Sequence, residues 1–359
     1  MGFAFGKNFR IRVFGKSHGK KIGVVVSGVP QGIAINRQGI QAELDRRRPG
    51  QSRFTTQRNE PDEVVIESGI RNGRTTGAPI KMAIFNKDVQ SKPYEALAST
   101  PRPGHADFTA REKYGEKADL RGGGYFSGRM TACFVMAGAI AKAILRKRGI
   151  KALAYIKKMG SISARELKDS EIGSLTYKSD VRCPDKAAEK KMKKLIGRLK
   201  REGDSVGAVI ECRILNVPAG MGEPMFGSIE SSISRFVFAI PATKGIEFGS
   251  GFEAARMRGS EHNDRFAKLK GKVITLSNNA GGILGGLANG MPIVFRVAFK
   301  PTSSIAKEQV TLNVKTGRME KLQVGGRHDP CIAIRAVPVV ESAAAICMAD
   351  YILGDQTPG

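Results

Sequence analysis

The sequence predicts a single α/β (α+β) domain over residues 1–359, with strands that pair largely antiparallel around buried helix. Three observations carry that expectation. Val206, Ala208, Ile210, Cys212 and Ile214 alternate as one strand face, and Ile293, Phe295, Val297 and Phe299 repeat the pattern. From Arg129 to Arg148, Ala, Met and Ile fall on most sides of a helical wheel, as in a helix sunk in a core. No fixed-period repeat or long polar linker divides the chain, and its connections are too irregular for a doubly wound parallel sheet.

Taken in order, Ile22 to Val26 is a β-branched run closed by Ser27, Gly28 and Pro30, which predicts a buried strand. Asn36 suits a helix N-cap, Ile40 and Leu44 share one face, and Arg46, Arg47 and Arg48 fill the last turn before Pro49 stops it. Strands follow at Glu63–Glu67 and Ile80–Phe85. The helix from Arg129 ends at Gly149. Residues 186–201 hold eight Lys or Arg, yet Met192, Leu195, Ile196 and Leu199 recur at helical spacing, so the segment predicts an amphipathic helix with a solvated basic face. Ile229, Ile233, Phe236 and Val237 suit another helix.

The formal charge of +26 makes the surface attract polyanions, phosphates or acidic partners. A specific nucleic-acid site is not expected, because no basic stretch is interleaved with the aromatics that single-strand stacking uses. Five widely spaced cysteines without a CxxC or ligand spacing to histidine suggest buried thiols in a reducing, cytoplasmic setting and no metal site. The N-terminal residues lack a signal-peptide core, and no run approaches about 18 apolar residues, so no membrane partner is expected.

Familiar signatures fail when tested. Gly15-Lys16-Ser17 tempts a P-loop reading, but the required glycine five positions earlier is Arg10. Residues 249–254, GSGFEA, fit a loose dinucleotide fingerprint, but the segment after them lacks the apolar helix that fold needs. The histidines say more. His18, His105, His262 and His328 all lie in polar or glycine-flanked segments and none within an apolar period. Taken singly, each suits a structural or exposed role; together they suit an active site drawn from distant loops, with histidine as the acid near neutral pH. Arg47, Arg53, Arg129, Arg335 and Lys300, the last with Thr302, Ser303 and Ser304 beside it, are the donors a phosphorylated, multiply anionic ligand needs. A solvated or salt-bridged role fits each arginine taken alone.

GKSHG (15–19), DRRRPG (45–50), SRFTTQRNEPD (52–62), RPGHADFTAREKYG (102–115), RGGGYFSGRMTA (121–132), NNAGGILGG (278–286), KPTSSI (300–305) and GRHDPC (326–331) stand in this order along nearly the whole chain. Together they resemble the signatures of the chorismate synthase family. Three segments depart from the commonest family pattern: Lys16 replaces a glutamate, Tyr125, Phe126 and Gly128 replace an RSSA-type run, and Pro241 opens what is usually NAVKG.

The resemblance implies a β-α-β sandwich with central helices between largely antiparallel sheets, assembled as a homotetramer. It implies an anti 1,4-elimination of phosphate from 5-enolpyruvylshikimate 3-phosphate, requiring reduced FMN without net redox change. By motif, His18 would lie near the flavin and protonate or hold it, His105 would assist the departing phosphate, Ser17 and Ser127 would orient these groups, and Asp329 would be the carboxylate that lets a flavin nitrogen act as base on the substrate's ring hydrogen. The flavin would rest on Tyr125, Phe126, Ser127, Pro241, Ala242, Gly285, Lys300, Pro301, Thr302, Ser303, Ser304 and Arg327. Arg47, Arg53, Arg129 and Arg335 would hold the substrate's anionic groups, and the first two resemble positions that take NADP in the family. The chain holds no visible reductase-like segment, so NADPH as direct reductant and a separate flavin reductase stay open, with dependence on the latter expected.

Overall fold

The computed structural model describes residues 2–56, 60–87, 99–117, 119, 121–326 and 328–355. Two five-stranded sheets enclose a layer of helices. The first runs, edge to edge, Ala4–Phe5, Arg10–Gly15, Lys21–Ser27, Ile80–Phe85 and Val64–Ser68. The second runs Thr243–Phe248, Ile293–Phe299, Ala208–Leu215, Lys151–Met159 and Ile162–Ser163. Each pairing within them is antiparallel. Register explains why the two alternating segments find each other. Ile210 faces Val297, Cys212 faces Phe295 and Ile214 faces Ile293, so one pleat face carries six fully buried side chains.

Between the sheets lie the helices Arg37–Arg47, Thr131–Lys147 and Ala333–Gly354. Asn36 caps the first as predicted, its Oδ1 accepting from the Gly39 N–H at 2.8 Å. The second begins two residues later than predicted, because Gly128–Met130 forms a 3₁₀ turn ahead of it. The third, the longest helix described, matches none of the elements predicted above. Pro338 lies inside it and its apolar residues run around every side, so neither an uninterrupted helical pattern nor an amphipathic stripe marks it. Contrary to expectation, Gly128–Lys147 and Ala333–Gly354 are long and apolar enough to cross a membrane, yet 83% of each apolar window is buried inside the fold. The helices Lys186–Glu202 and Ile229–Val237 appear where their apolar periods placed them, the former burying Met192, Ile196 and Leu199. Residues 249–254 lead into a 3₁₀ turn, Gly251–Arg256, in agreement with rejection of a dinucleotide fold.

The central helices approach closely because their contact is built from small residues. A Cβ added to Gly138 would sit 2.3 Å from Ser342 Cβ and 2.9 Å from Ser342 Cα, so only glycine fits. Charge is also buried here. Glu341, 3% exposed, accepts from Lys142 at 2.9 Å, Tyr177 at 2.8 Å and the Ala154 N–H at 3.0 Å, tying helix to helix and helix to sheet. At one end of the layer Asp62 bridges two buried guanidiniums, Arg47 at 3.1 Å and Arg129 at 2.7 Å. Arg129 also meets Glu60 at 2.7 Å and donates to Asn86 Oδ1 at 2.6 Å. Burial alone would raise the Asp62 pKa, but Arg47 and Arg129 outweigh it and hold the carboxyl below the usual range.

Two stability predictions arise. Gly138→Val should lower the unfolding free energy by about 1–3 kcal/mol through overpacking; an unchanged urea midpoint would mean the helices can separate at no cost. Asp62→Asn keeps the shape at a position with φ of 46°, which asparagine tolerates, but removes the carboxylate that Arg47 pairs with and leaves Arg129 with Glu60 as its remaining carboxylate. It should cost about 3–5 kcal/mol near neutral pH. A carboxyl with a depressed folded pKa contributes fully above its unfolded value, about 3.9, and loses that contribution as pH falls through the folded one. The stability gap between parent and variant should therefore narrow in acid below about pH 4, and a gap independent of pH would remove the ion cluster as its cause.

Candidate active site

A cleft of about 550 Å³ opens where the two longest core helices begin. Ser127 to Arg129 and Thr131 line it from one helix start, and Ile332, Arg335 and Ala336 from the other. Both helix N-termini therefore present positive dipole ends toward the same space, which favours an anion. The opposite wall comes from the loops 102–106, 238–242 and 300–304 and from His328 and Asp329.

The glycine run shapes the floor. Gly122, Gly123 and Gly124 have φ of 57°, 80° and 52°, a succession that side chains disfavour. A Cβ on Gly122 would fall 1.8 Å from His18 Cε1, so the missing side chain is what lets the imidazole lie against the loop. Ser17, 1% exposed, donates to the Gly122 carbonyl at 3.1 Å, with its hydroxyl 3.3 Å from His18 Nδ1. Lys16 pairs with Asp119 at 2.5 Å, giving this departure from the family pattern a local partner. Ser127 caps the turn that follows, accepting from the Arg129 N–H at 3.3 Å.

His105 is the most strongly organised acid–base group. Its Nδ1 lies 2.7 Å from Asp107 Oδ1, so the geometry assigns the Nδ1 proton to that bond, while a Cβ on Gly123 would approach Nε2 to 3.6 Å, which puts that nitrogen beside the glycine floor. Arg102 grips the same carboxylate through Nε and Nη2, both at 2.7 Å, and donates through Nη1 to Ser304 Oγ at 2.9 Å. Burial would raise the Asp107 pKa, but hydrogen bonds from Arg102 and His105 hold it far below the usual carboxylate range. The 300–304 loop is fastened to the His105 loop by Lys300 and Ser303, which both donate to the Gly104 carbonyl, Ser303 at 2.7 Å. Burial, with Lys244 repelling, pulls the Lys300 pKa below the ordinary lysine value.

On the helix side, Asp329 accepts from the Thr56 N–H at 2.8 Å and pairs with Arg335 at 2.8 Å. Arg335 donates in turn to the Arg47 carbonyl at 3.2 Å. Arg47 directs its nitrogens to Thr131, Asp62 and the Gly128 carbonyl; burial and the neighbouring Arg335 bring its pKa down to about 9. Arg47 and Arg129 thus line the cleft with their hydrogen-bonding edges already turned to protein groups.

Of the residues named from the sequence, Tyr125, Phe126, Ser127, Pro241, Ala242, Lys300, Pro301, Thr302, Ser303, Ser304, His105, Asp329, Arg47, Arg129 and Arg335 line this cleft, and His18 and Ser17 lie just beneath its floor. Gly285 lies instead between the short strands Ile283–Leu284 and Leu287–Ala288, away from the cleft walls. Arg53 is exposed, its guanidinium 5.0 Å from the Phe54 ring, and does not line the cleft either. Arg327 lies outside the described residues. His262 stands elsewhere, its carbonyl accepting from Asn279 at 3.1 Å. Sequence reasoning assigned no role to Arg102 or Asp62, although both stand within quoted motifs. His328 was singled out as a histidine and not placed; it lines the cleft, and burial lowers its pKa.

Comparison with known proteins agrees with this architecture. The profile of the family described as chorismate synthase matches residues 9–353. The chain is 50% identical to a chorismate synthase of Dehalococcoides mccartyi over 353 residues, covering 98% of this chain and 97% of the relative. It is 49% identical to one of Korarchaeum cryptofilum over 352 residues, covering 98% of each. A crystal structure of chorismate synthase superposes with a TM-score of 0.78 at 31% identity, over 98% of this chain and 93% of that one. With sequence and fold in agreement from end to end, the chain belongs to the chorismate synthase family of carbon–oxygen lyases.

Proposed function

We propose that this chain eliminates phosphate from 5-enolpyruvylshikimate 3-phosphate in an anti 1,4 sense to give chorismate, with reduced FMN in the cleft and no net redox change. The observation that carries the reading is His105, clamped by Asp107 at 2.7 Å, in a cleft where two helix N-termini and Lys300 favour an anion. The donor set fits a flavin mononucleotide. Tyr125, Phe126 and Phe238 are 49%, 40% and 55% exposed and offer apolar surface to a flat ring, while the Lys300 ammonium and the Ser304 hydroxyl, which accepts from Arg102 and has its own proton to give, offer donors to a phosphate tail. When bound, the reduced flavin supplies electron density to a ring carbon made electron-poor by loss of phosphate.

The chain's own residues then divide the work. His105, oriented through Nδ1, delivers a proton from Nε2 to the departing phosphate, and Asp107 stabilises the imidazolium before that transfer. Arg102 keeps Asp107 ionised and in place. His18, with Ser17, is a second proton-holding group. Asp329, held in place by Arg335 and the Thr56 N–H, is the proposed proton acceptor on the helix side. Arg47 and Arg129, already engaged with Asp62, contribute positive field and fix the helix starts, a different role from a direct clamp on the ligand. Arg53 and Gly285 would reach a ligand only from outside the cleft walls.

Three further parts of the reading have independent support. Met225, Phe226 and Phe252 are 83%, 97% and 80% exposed, apolar surface that suits a homotetramer. The free, buried cysteines suit a reducing cytoplasmic compartment, and one dominant apolar core, with only a small separate cluster at Leu322 and Val324, suits a single domain. Supply of reduced flavin is assigned to a separate reductase, with NADPH as the remote reductant.

Under anaerobic conditions, phosphate and chorismate should appear together with only catalytic reduced FMN. Flavin oxidised once per turnover would instead mark an oxidoreductase, and selective nucleic-acid binding without phosphate release would mark a binding protein. His105→Ala should lower turnover by about 100- to 10,000-fold with the fold intact. Turnover within threefold of the parent would return His105 to a structural role. Asp329→Asn should lower turnover by at least about 100-fold with FMN affinity little changed; loss of activity through loss of flavin binding would count against the proton-acceptor role.

A further inference from the structure

Behind the wall that carries Arg335 lies a second cavity of about 380 Å³, within the size range of small-molecule sites. Arg46, Arg48, Lys178, Arg182 and Arg335 line it, against only two carboxylates, Asp45 and Asp180. Those carboxylates are already engaged, Asp45 with Arg48 at 3.3 Å and Asp180 with Lys193 at 2.7 Å. Arg46 has its own partner in Glu43 at 2.8 Å, and Arg335 has Asp329. That leaves Lys178 and Arg182 as the cations for which no ion pair forms among the described residues.

Arg182 is the decisive group. It is 8% exposed and sits at a φ of 60°, a conformation that arginine rarely adopts. Its Nη atoms reach only neutral oxygens: the carbonyls of Tyr177, Ser179 and Arg46, each at 3.3 Å, and the side-chain amide of Gln51. Its Nε is buried without a hydrogen-bond partner. Burial, with Arg46 nearby, lowers its pKa. A guanidinium desolvated beside another guanidinium, without a counter-charge, is costly unless something anionic completes it. The Tyr177 ring, 4.3 Å from the Arg46 guanidinium carbon and 5.0 Å from that of Arg182, holds the two cations on one aromatic side chain.

We propose that this cavity is a second anion site, taking a phosphate group on Arg182 and Lys178, distinct from the main cleft and separated from it by Arg335. Phosphate is the chemistry that fits: it accepts from several donors at once, here the Lys178 ammonium and Nε, the one Arg182 nitrogen whose hydrogen bond is unmade. The assignment does not depend on the reaction proposed for the main cleft, since none of the acid–base groups named there lines this cavity.

The test is calorimetric titration of the full chain with sodium phosphate at ionic strength held constant by sodium chloride, beside a second titration with glycerol 3-phosphate. Two classes of site are expected in the parent. Lys178→Gln and Arg182→Gln should each weaken one class by about tenfold, the loss of one charge-assisted hydrogen bond, whereas Lys300→Gln should affect only the other. Arg182→Lys should retain most of the binding. If Arg182→Gln does not fold, the exposed Lys178→Gln decides alone. Tighter binding of the monoester would identify a phosphorylated metabolite as the occupant, and equal or weaker binding would identify inorganic phosphate. Isotherms that Lys178→Gln leaves unchanged, or binding that sodium chloride abolishes as effectively as either variant, would overturn the site.

Discussion

The close approach of two small-residue helices governs this structure. Thr131–Lys147 and Ala333–Gly354 can pack through Gly138 and Ser342 only because neither presents bulk at the crossing, and both sheets are laid against the resulting layer. The same packing brings the helix N-termini to one end of the sandwich. There the dipole ends converge on a single cleft. Core packing and ligand chemistry are thus consequences of one contact: helices that sat farther apart would aim their starts at different places.

Charge is the second constraint. A protein with 59 basic and 33 acidic side chains has too few carboxylates to neutralise every cation, so the placement of those it has matters. Several of the buried ones are committed to structure: Asp62 to Arg47 and Arg129, Glu341 to Lys142, Asp107 to Arg102 and His105. Such pairs repay their desolvation only when every polar edge is met, and removing one partner costs more than the pair contributes. Cations such as Lys300 and Arg182, which form no ion pair among the described residues, are therefore the places where an external anion is proposed.

Much of the fold was legible because it rests on local periodicity. The alternation through Ile210 and Val297, the Asn36 cap and the apolar stripe of Lys186–Glu202 are statements about neighbours in sequence, and tertiary packing agreed with them. The Ala333–Gly354 helix was not legible for the same reason: Pro338 breaks the pattern, and burial on all sides erases the amphipathic stripe by which helices are recognised. The order of the motifs pointed to the cleft, and most of the residues they named came together there. Arg53 and Gly285 did not, since a motif records which residues recur and not which walls they face.

The sequence by itself determined the elements that carry a clear local period, the glycine turn at 122–124, the basic surplus and the family, because each is carried by residue identity and short spacing. Only the tertiary structure decided that Arg102 and Asp107 would organise His105, that Arg129 would turn its edges to Asp62, Glu60 and Asn86, and that Arg182 would lie buried without an ion-pair partner among the described residues. Side chains tens or hundreds of residues apart compete for the same few carboxylates, and which guanidinium wins depends on distances of a few ångströms that no one-dimensional pattern records.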